Sequence, residues 1–269
     1  MTSIEADKYY KAFDQQRHKY ESKYEKRSLS AIAVQIRQGI DLLKTSNSPA
    51  DAVTLMDGIS VEPVKELYLA LYDEVGLEFA RRTLRKVKAD TMQLFRKDDD
   101  DILTSLWAEI VNEKINGQLS AQLIKVTETT VKFLKDQIAI AVNEGLSIDD
   151  TAKLIQAKWG DVSTARATRI ARTEVISASN WGSLEGAKQT GLTLNKVWIS
   201  TRDSRTRRPK KGSKFDHVSS DNEESPINNG LFTVSGEKLE YPGDRSNGAS
   251  AGNVVNCRCA IGYNRVNDA

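Results

Sequence analysis

Cys257 and Cys259 are the only cysteines of the chain, two residues apart in Val254-Val255-Asn256-Cys257-Arg258-Cys259-Ala260-Ile261. The β-branched, apolar run reads as a strand. Alternate side chains of a strand share a face, so both sulfurs point the same way. Two thiols on one face can ligate a metal when other segments add ligands. They can equally be inert buried thiols, or form a strained bridge across a very short loop.

A second constellation lies in Ala165-Arg166-Ala167-Thr168-Arg169-Ile170-Ala171-Arg172-Thr173-Glu174-Val175. At helical spacing Ile170, Ala171, Glu174, Ala178 and Trp181 share one face, and Arg172 leans to another. Glu174 therefore sits among apolar positions and needs a buried partner. An acid there can be a general base, a metal ligand or half of a structural ion pair. The expectation is structural, with Arg172 and Glu174 as polar core residues.

The third is basic. Arg205, Arg207, Arg208, Lys210, Lys211 and Lys214 crowd into one loop, which suits sequence-independent phosphate contact or is merely a solvated loop. The chain as a whole is no electrostatic nucleic-acid binder. Lys and Arg number 39 against 37 acids, a net charge of +2, so DNA affinity has to come from this patch.

The elements that must position these residues divide into two compositional halves. The 269 residues, 39% hydrophobic and 28% charged, suit one large soluble domain or two ordinary ones. No apolar run is long enough for a membrane span, and the polar N-terminus lacks the apolar core of a signal peptide. With two cysteines, this points to synthesis in a reducing cytoplasm. Residues 1–145 are predicted to be helical and extended; residues 146–269 form a compact α+β region with a small antiparallel sheet, an α+β fold class overall.

Tyr9 to Lys26 is poor in aliphatics and reads as a solvated surface helix, or one that docks on a partner. Pro49 and Pro63 mark helix starts. Val64, Leu67, Tyr68, Leu71 and Val75 follow at helical spacing, and the pattern runs on through Phe79, Leu84 and Leu94. Asp98 to Asp101 suits a helix N-terminus, where acids oppose the dipole; a metal-binding cluster is the alternative. The stripe from Leu119 to Ile138 is a long amphipathic helix ended by Gly145. Ser147 opens the next helix in capping-box style, Trp159-Gly160 closes it, and another runs from Asp161 or Ser163 to Gly191. Phe232-Thr233-Val234 and Lys238-Leu239-Glu240-Tyr241 are short strands before a Pro242-Gly243-Asp244 turn.

From about residue 145 to 263 the order of fragments resembles the phage Mu F-like minor head proteins, the phage head morphogenesis family. The landmarks are Arg169-Ile170-Ala171-Arg172-Thr173-Glu174 with Asn180 and Gly182, Trp198 with Asp203, Arg205-Thr206-Arg207, His217 with Asp221, Phe232, Tyr241-Pro242-Gly243-Asp244 and Asn256-Cys257-Arg258-Cys259. Two departures stand out. Arg208 to Asp216 is inserted before His217, and Asp221-Asn222 stands where the family tends to carry Asp-Gly.

The resemblance implies a minor capsid protein of a tailed bacteriophage, bound to the portal inside the capsid near the portal vertex. It implies help in head assembly and in DNA packaging or ejection, with the helical half as the portal-docking part. Major capsid protein, scaffold and nonspecific double-stranded DNA are the further expected partners, and no membrane. The family pattern also brings His217 near the cysteine run. Thiolates plus imidazole favour zinc, with Asp203 or Asp221 adding an oxygen ligand. The alternative from another class is a metal-dependent hydrolase or transferase. It would need an open metal position, whereas a structural site is closed by four ligands.

Overall fold

The computed structural model describes residues 3–91, 95–201, 203–204, 206–209 and 214–266. Two long helices form its spine: α1, Ser3–Thr45, and α7, Ile148–Lys188. At 1.5 Å per residue each runs about 60 Å. Between them in sequence come α2 (Pro49–Leu55), α3 (Glu62–Leu71), α4 (Leu77–Asp90), α5 (Lys97–Glu113) and α6 (Ser120–Asn143). A π-helical turn, Tyr72–Gly76, joins α3 to α4, and another, Lys114–Gln118, follows α5. After α7 come β1 (Leu194–Ile199), β2 (Glu224–Pro226), β3 (Phe232–Val234), β4 (Glu237–Leu239), the one-turn helix α8 (Ala251–Val254) and β5 (Ala260–Arg265). The α+β architecture, with a helical first half and small antiparallel sheets at the C-terminal end, is the expected one.

Local chemistry explains most boundaries. Ser48 caps α2, accepting from Asp51 N–H, with Pro49 in its first turn. The Arg96 backbone N–H donates to the Asp99 carboxylate at 2.8 Å. Asp99 also pairs with Lys88, and Asp100 with Arg81. The acidic run thus serves a helix N-terminus and ion pairs with α4. Ser147 caps α7, and Gly145 and Gly191 take positive φ just beyond helix ends.

Three sequence expectations change. Trp159-Gly160 does not end a helix; α7 runs through it, because Trp159 packs edge-on against Phe133 of α6. Tyr9 to Lys26 is not a solvated surface helix. Ala6, Tyr10, Phe13, Arg17 and Tyr24 are buried along one stripe of α1. Aromatics replace the missing aliphatics: Phe13 meets the Phe79 ring at 4.5 Å. The cysteines precede the final strand instead of lying in it, since β5 begins at Ala260. Leu94 lies outside the described residues.

The hydrophobic core is continuous from Ala6 of α1 to Ile261 of β5, so it crosses the 145/146 boundary. A second cluster, at the other end of the spine, joins Ile32, Ile36, Ile40 and Leu43 to Leu134, Ile138 and Ile155. Close approach fixes the α4–α7 contact. A Cβ at Gly182 would stand 2.1 Å from the Gly76 carbonyl oxygen, and one at Gly186 2.1 Å from that of Ala80. The three-stranded sheet has the order β2-β1-β5, all antiparallel, with Trp198 opposite Ile261.

Candidate metal centre

The register of the sheet brings three distant segments together. The first is the end of β1 around Trp198. The second is the turn carrying His217. The third is the loop between α8 and β5 that carries both cysteines. Arg207 clamps that loop from outside: its guanidinium donates to the carbonyls of Asn253, at 2.9 Å, and of Val255. The Arg207 carbonyl in turn accepts from His217 N–H at 3.0 Å. From the inner side Thr173 of α7 accepts the Asn256 N–H at 3.1 Å. Asn180 of α7 is fully buried and bonded four ways. Its amide donates to the carbonyls of Ile176, Pro242 and Cys259 and accepts from Ile261 N–H.

The Asp221-Asn222 departure has a local use. The Asp221 carboxylate accepts from Ser200 N–H at 2.9 Å. Asn222, at φ 68, turns the chain so that its N–H reaches the Trp198 carbonyl at 2.8 Å. After glycine, Asn is among the residues that best tolerate this left-handed conformation. Asp221 therefore braces the end of β1.

Within this frame His217, Cys257 and Cys259 form a group that could hold a metal. His217 Nδ1 lies 3.6 Å from Cys257 Sγ and 3.5 Å from Cys259 Sγ. Zinc bonds of ordinary length to one imidazole and one thiolate at the tetrahedral angle put N and S about 3.6 Å apart. The donor set and its spacing fit zinc. All three residues are buried, at 1%, 2% and 2% exposure.

The sulfurs are electrostatically unequal. The hydrogen bond from Cys259, then the His217 ring, hold the Cys257 thiol well below its ordinary pKa against the effect of burial. Burial pushes the Cys259 thiol well up, and the Cys257 sulfur pushes it further; the Trp198 indole N–H and the Arg17 charge act the other way. The two sulfurs thus favour sharing one proton. The Trp198 ring stands edge-on to His217 with centroids 5.7 Å apart.

The other expected site residues lie elsewhere. Asp203 is not in the group: its backbone N–H meets Thr206 Oγ1 at 3.3 Å, in a turn between β1 and the His217 segment. Asp221 serves Ser200, as above. Arg207 is committed to backbone carbonyls instead of open for phosphate. Arg208 and Lys214 are exposed. Arg205, Lys210 and Lys211 lie outside the described residues. Glu174 is buried, and its partner is Arg245 at 3.0 Å, with Tyr72 OH at 3.5 Å. Arg172, partly exposed, faces Glu21 of α1 at 3.8 Å. The two are thus not each other's partners.

Sequence reasoning missed Arg17, Asn253, Glu237 and two buried lysines. Arg17 had a signal: it falls on the stripe Ala6, Tyr10, Phe13, Tyr24 at helical spacing. It is fully buried, pairs with Asp14, and donates to the Arg258 carbonyl between the cysteines at 3.3 Å. Lys114 lies in the second π-helical turn, where burial pulls its pKa to about 8, and it donates to Tyr241 OH at 2.5 Å. A groove of about 650 Å³ between α1 and α4, lined by Tyr9, Phe13, Phe79, Lys8, Arg82 and Arg85, shares no residue with the His/Cys group.

Residues 132–262 match the family described as "Phage Mu protein F like protein". This segment, just under half of the chain, is similar to that family. It contains every landmark named above, His217 and both cysteines among them. Over 233 residues the chain is also 26% identical to the NAD(+)--arginine ADP-ribosyltransferase EFV of Enterococcus faecalis (strain ATCC 700802 / V583), covering 85% of this chain and 44% of that protein. The chain thus spans less than half the length of that relative. No solved structure matches. Among the described residues no helix is long and apolar enough to cross a membrane.

Proposed function

We propose that the chain is a head-related protein of a tailed bacteriophage: a minor capsid protein that binds the portal inside the capsid and assists head assembly and DNA packaging or ejection. The observation that carries this reading is the match of residues 132–262 to the phage Mu F-like family, a range that includes the His217, Cys257 and Cys259 group. In this reading the portal is the main partner, and major capsid protein and scaffold are met during assembly. Arg208 and Lys214, with Arg205, Lys210 and Lys211, give weak, salt-sensitive contact with double-stranded DNA. Because α1 carries core residues, deleting residues 1–60 would test folding rather than docking. The cleaner experiment co-expresses the full chain with the portal protein of the same phage and also quantifies the chain in washed virions. A few copies per portal ring, and co-purification with portal, are expected. Absence from virions together with no portal binding overturns the reading.

Zinc belongs to the same reading as a structural staple. His217, Cys257 and Cys259 would hold it, and it would supply cross-linking of three segments, stabilising the fold directly. The three ligands found among the described residues leave a fourth position to be filled, and their burial favours a structural ion shielded from solvent. Elemental analysis of protein purified without chelator should give about one zinc per chain, with the melting temperature lowered by EDTA. Under a tenth of an equivalent, and a melting temperature indifferent to EDTA, rules the staple out.

The likeness to an ADP-ribosyltransferase favours a second reading, an enzyme or a module that accompanies one. Incubating the full chain with labelled NAD+ and arginine-bearing acceptor protein tests it directly. Transfer of label would establish the activity, and no transfer would leave the virion role alone.

A further inference from the structure

Which nitrogen of His217 faces the sulfurs is decided on the far side of the ring, by an amide whose orientation is itself fixed. Asn253, fully buried in α8, donates through Nδ2 to the Val234 carbonyl at 3.1 Å and to Glu237 Oε2 at 2.7 Å. Both of those partners are acceptors, so Nδ2 cannot be exchanged with Oδ1 without two repulsive contacts. Oδ1 must therefore be the atom 3.2 Å from His217 Nε2. An amide oxygen accepts and never donates, so the proton of a neutral imidazole belongs on Nε2. Nδ1 keeps its lone pair, and Nδ1 is the nitrogen that lies 3.5 and 3.6 Å from the two sulfurs.

Glu237 anchors the chain of contacts. It also accepts the Ser250 N–H at 2.8 Å, next to the start of α8. Burial alone would raise its pKa, but the hydrogen bonds from Ser250 and Asn253, and the Lys214 charge, hold it below the usual carboxylate range. Glu237 is thus a carboxylate and an acceptor throughout the neutral range.

From this geometry we propose that Asn253, held by Glu237, is the positioning residue of the metal centre: it selects the His217 tautomer that presents Nδ1 to the metal beside Cys257 and Cys259. The inference rests on the zinc reading above. Metal-bound histidines commonly donate their second N–H to a carboxylate or carbonyl, and loss of that acceptor weakens metal binding. Here a carboxylate acts through an amide, which adds orientation: a carboxylate alone accepts equally from either face, whereas the fixed amide offers the ring its oxygen and nothing else.

With two histidines in the chain, the test is spectroscopically simple. Full-length protein labelled with 15N at histidine, carrying His18→Gln to leave one signal, is measured by long-range 1H–15N correlation with and without zinc. Expected is a protonated Nε2 in both states and a zinc-bound Nδ1 in the loaded state. Zinc bound through Nε2 overturns the proposal. In parallel, zinc affinity is measured by chelator competition. Asn253→Leu should weaken zinc by about 10- to 100-fold, while Glu237→Gln, which keeps the acceptor for Asn253, should change it by under about 3-fold. A merely structural Asn253 would lower the melting temperature and leave affinity and the bound nitrogen unchanged, which overturns the proposal. If Asn253→Leu fails to fold, Glu237→Ala serves instead: it frees the amide to rotate, and Nε2 coordination should then appear. Wild-type protein that binds no zinc defeats the zinc reading itself, and the metal-free spectrum still shows whether Nε2 carries the proton.

Discussion

At one end of the α1–α7 spine, Ile32, Ile36, Ile40 and Leu43 meet Leu134, Ile138, Ala152 and Ile155 in a core built almost wholly of aliphatic contacts. At the other end Asn180, Asn253, His217, Arg207 and the two cysteines are joined by hydrogen bonds across more than 80 positions of sequence. Both ends are buried, yet they answer to different rules. Apolar packing is non-directional, and swaps that conserve volume usually cost under about 1.5 kcal/mol. A buried polar network is directional, and removing one member strands the others without water. The helical end should therefore tolerate substitution by type, and the His/Cys end should tolerate almost none.

The largest break in that comparison comes from Asn180→Leu. The side chains branch alike at Cγ, although Leu is the bulkier, so a part of the loss comes from overpacking. The variant strands the carbonyls of Pro242 and Cys259 and the N–H of Ile261. At roughly 1–3 kcal/mol for each stranded group, partly relieved by relaxation, we expect a loss of about 3–5 kcal/mol. Ile138→Leu, in the aliphatic cluster, should cost under about 1.5 kcal/mol. Urea titration of both variants checks the contrast. Equal losses would mean that the two ends do not differ in kind.

That same contrast governs what the sequence disclosed. Helices show themselves through period, and Val64, Leu67, Tyr68 and Leu71 are buried as their spacing requires. Caps show themselves through residue type, as at Ser48 and Ser147. A polar network has no period. Asn253 could not be distinguished from any other Asn in a Gly/Ser-rich loop, because its partners Val234, Glu237 and His217 converge only after β3, β4 and α8 have formed. The cysteines and His217 were legible as chemistry, and their grouping only through ordered landmarks. The continuity of α7 past Gly160 was hidden too. Gly is a poor helix former locally, and it was outweighed by tertiary packing of Trp159 on Phe133.

Arg17 sharpens the comparison, because it is a polar residue on the apolar stripe of α1 and ties that helix to the cysteine loop. Replacing it by Met keeps the length of the stem and removes the guanidinium. The Arg258 carbonyl loses a donor, and Asp14 loses its close buried partner. We expect a loss of about 2–3 kcal/mol, with the first two dozen residues of α1 becoming more susceptible to limited proteolysis. A variant as stable and as resistant as the parent would show that aromatic packing alone holds α1 in place.

The smallest expected effect has the opposite sign. Lys196 of β1 is fully buried, its Nζ has no hydrogen-bond partner among the described residues, and it lies 5.4 Å from the Phe232 ring centroid. Burial lowers its pKa from 10.5 to about 8, so at neutral pH the fold carries a poorly solvated ammonium. Lys196→Met should stabilise the protein by about 1–2 kcal/mol at pH 7, since an unpartnered buried polar group is replaced by an apolar one of similar shape. The pH dependence follows with a definite sign. Between about pH 8 and 10 the unfolded chain keeps a proton on Lys196 that the folded chain has released. Stability of the wild-type protein therefore rises with pH across that window, and Lys114, also lowered to about 8, contributes in the same direction. Thiols titrate in the same range in both proteins, so the informative quantity is the difference between them. The stabilisation conferred by Lys196→Met should be greatest at pH 7 and shrink towards pH 10. A stability difference constant across the window would show that Lys196 keeps its proton in the folded protein as it does in the unfolded chain, and that even this end of the molecule accommodates an ammonium without releasing its proton.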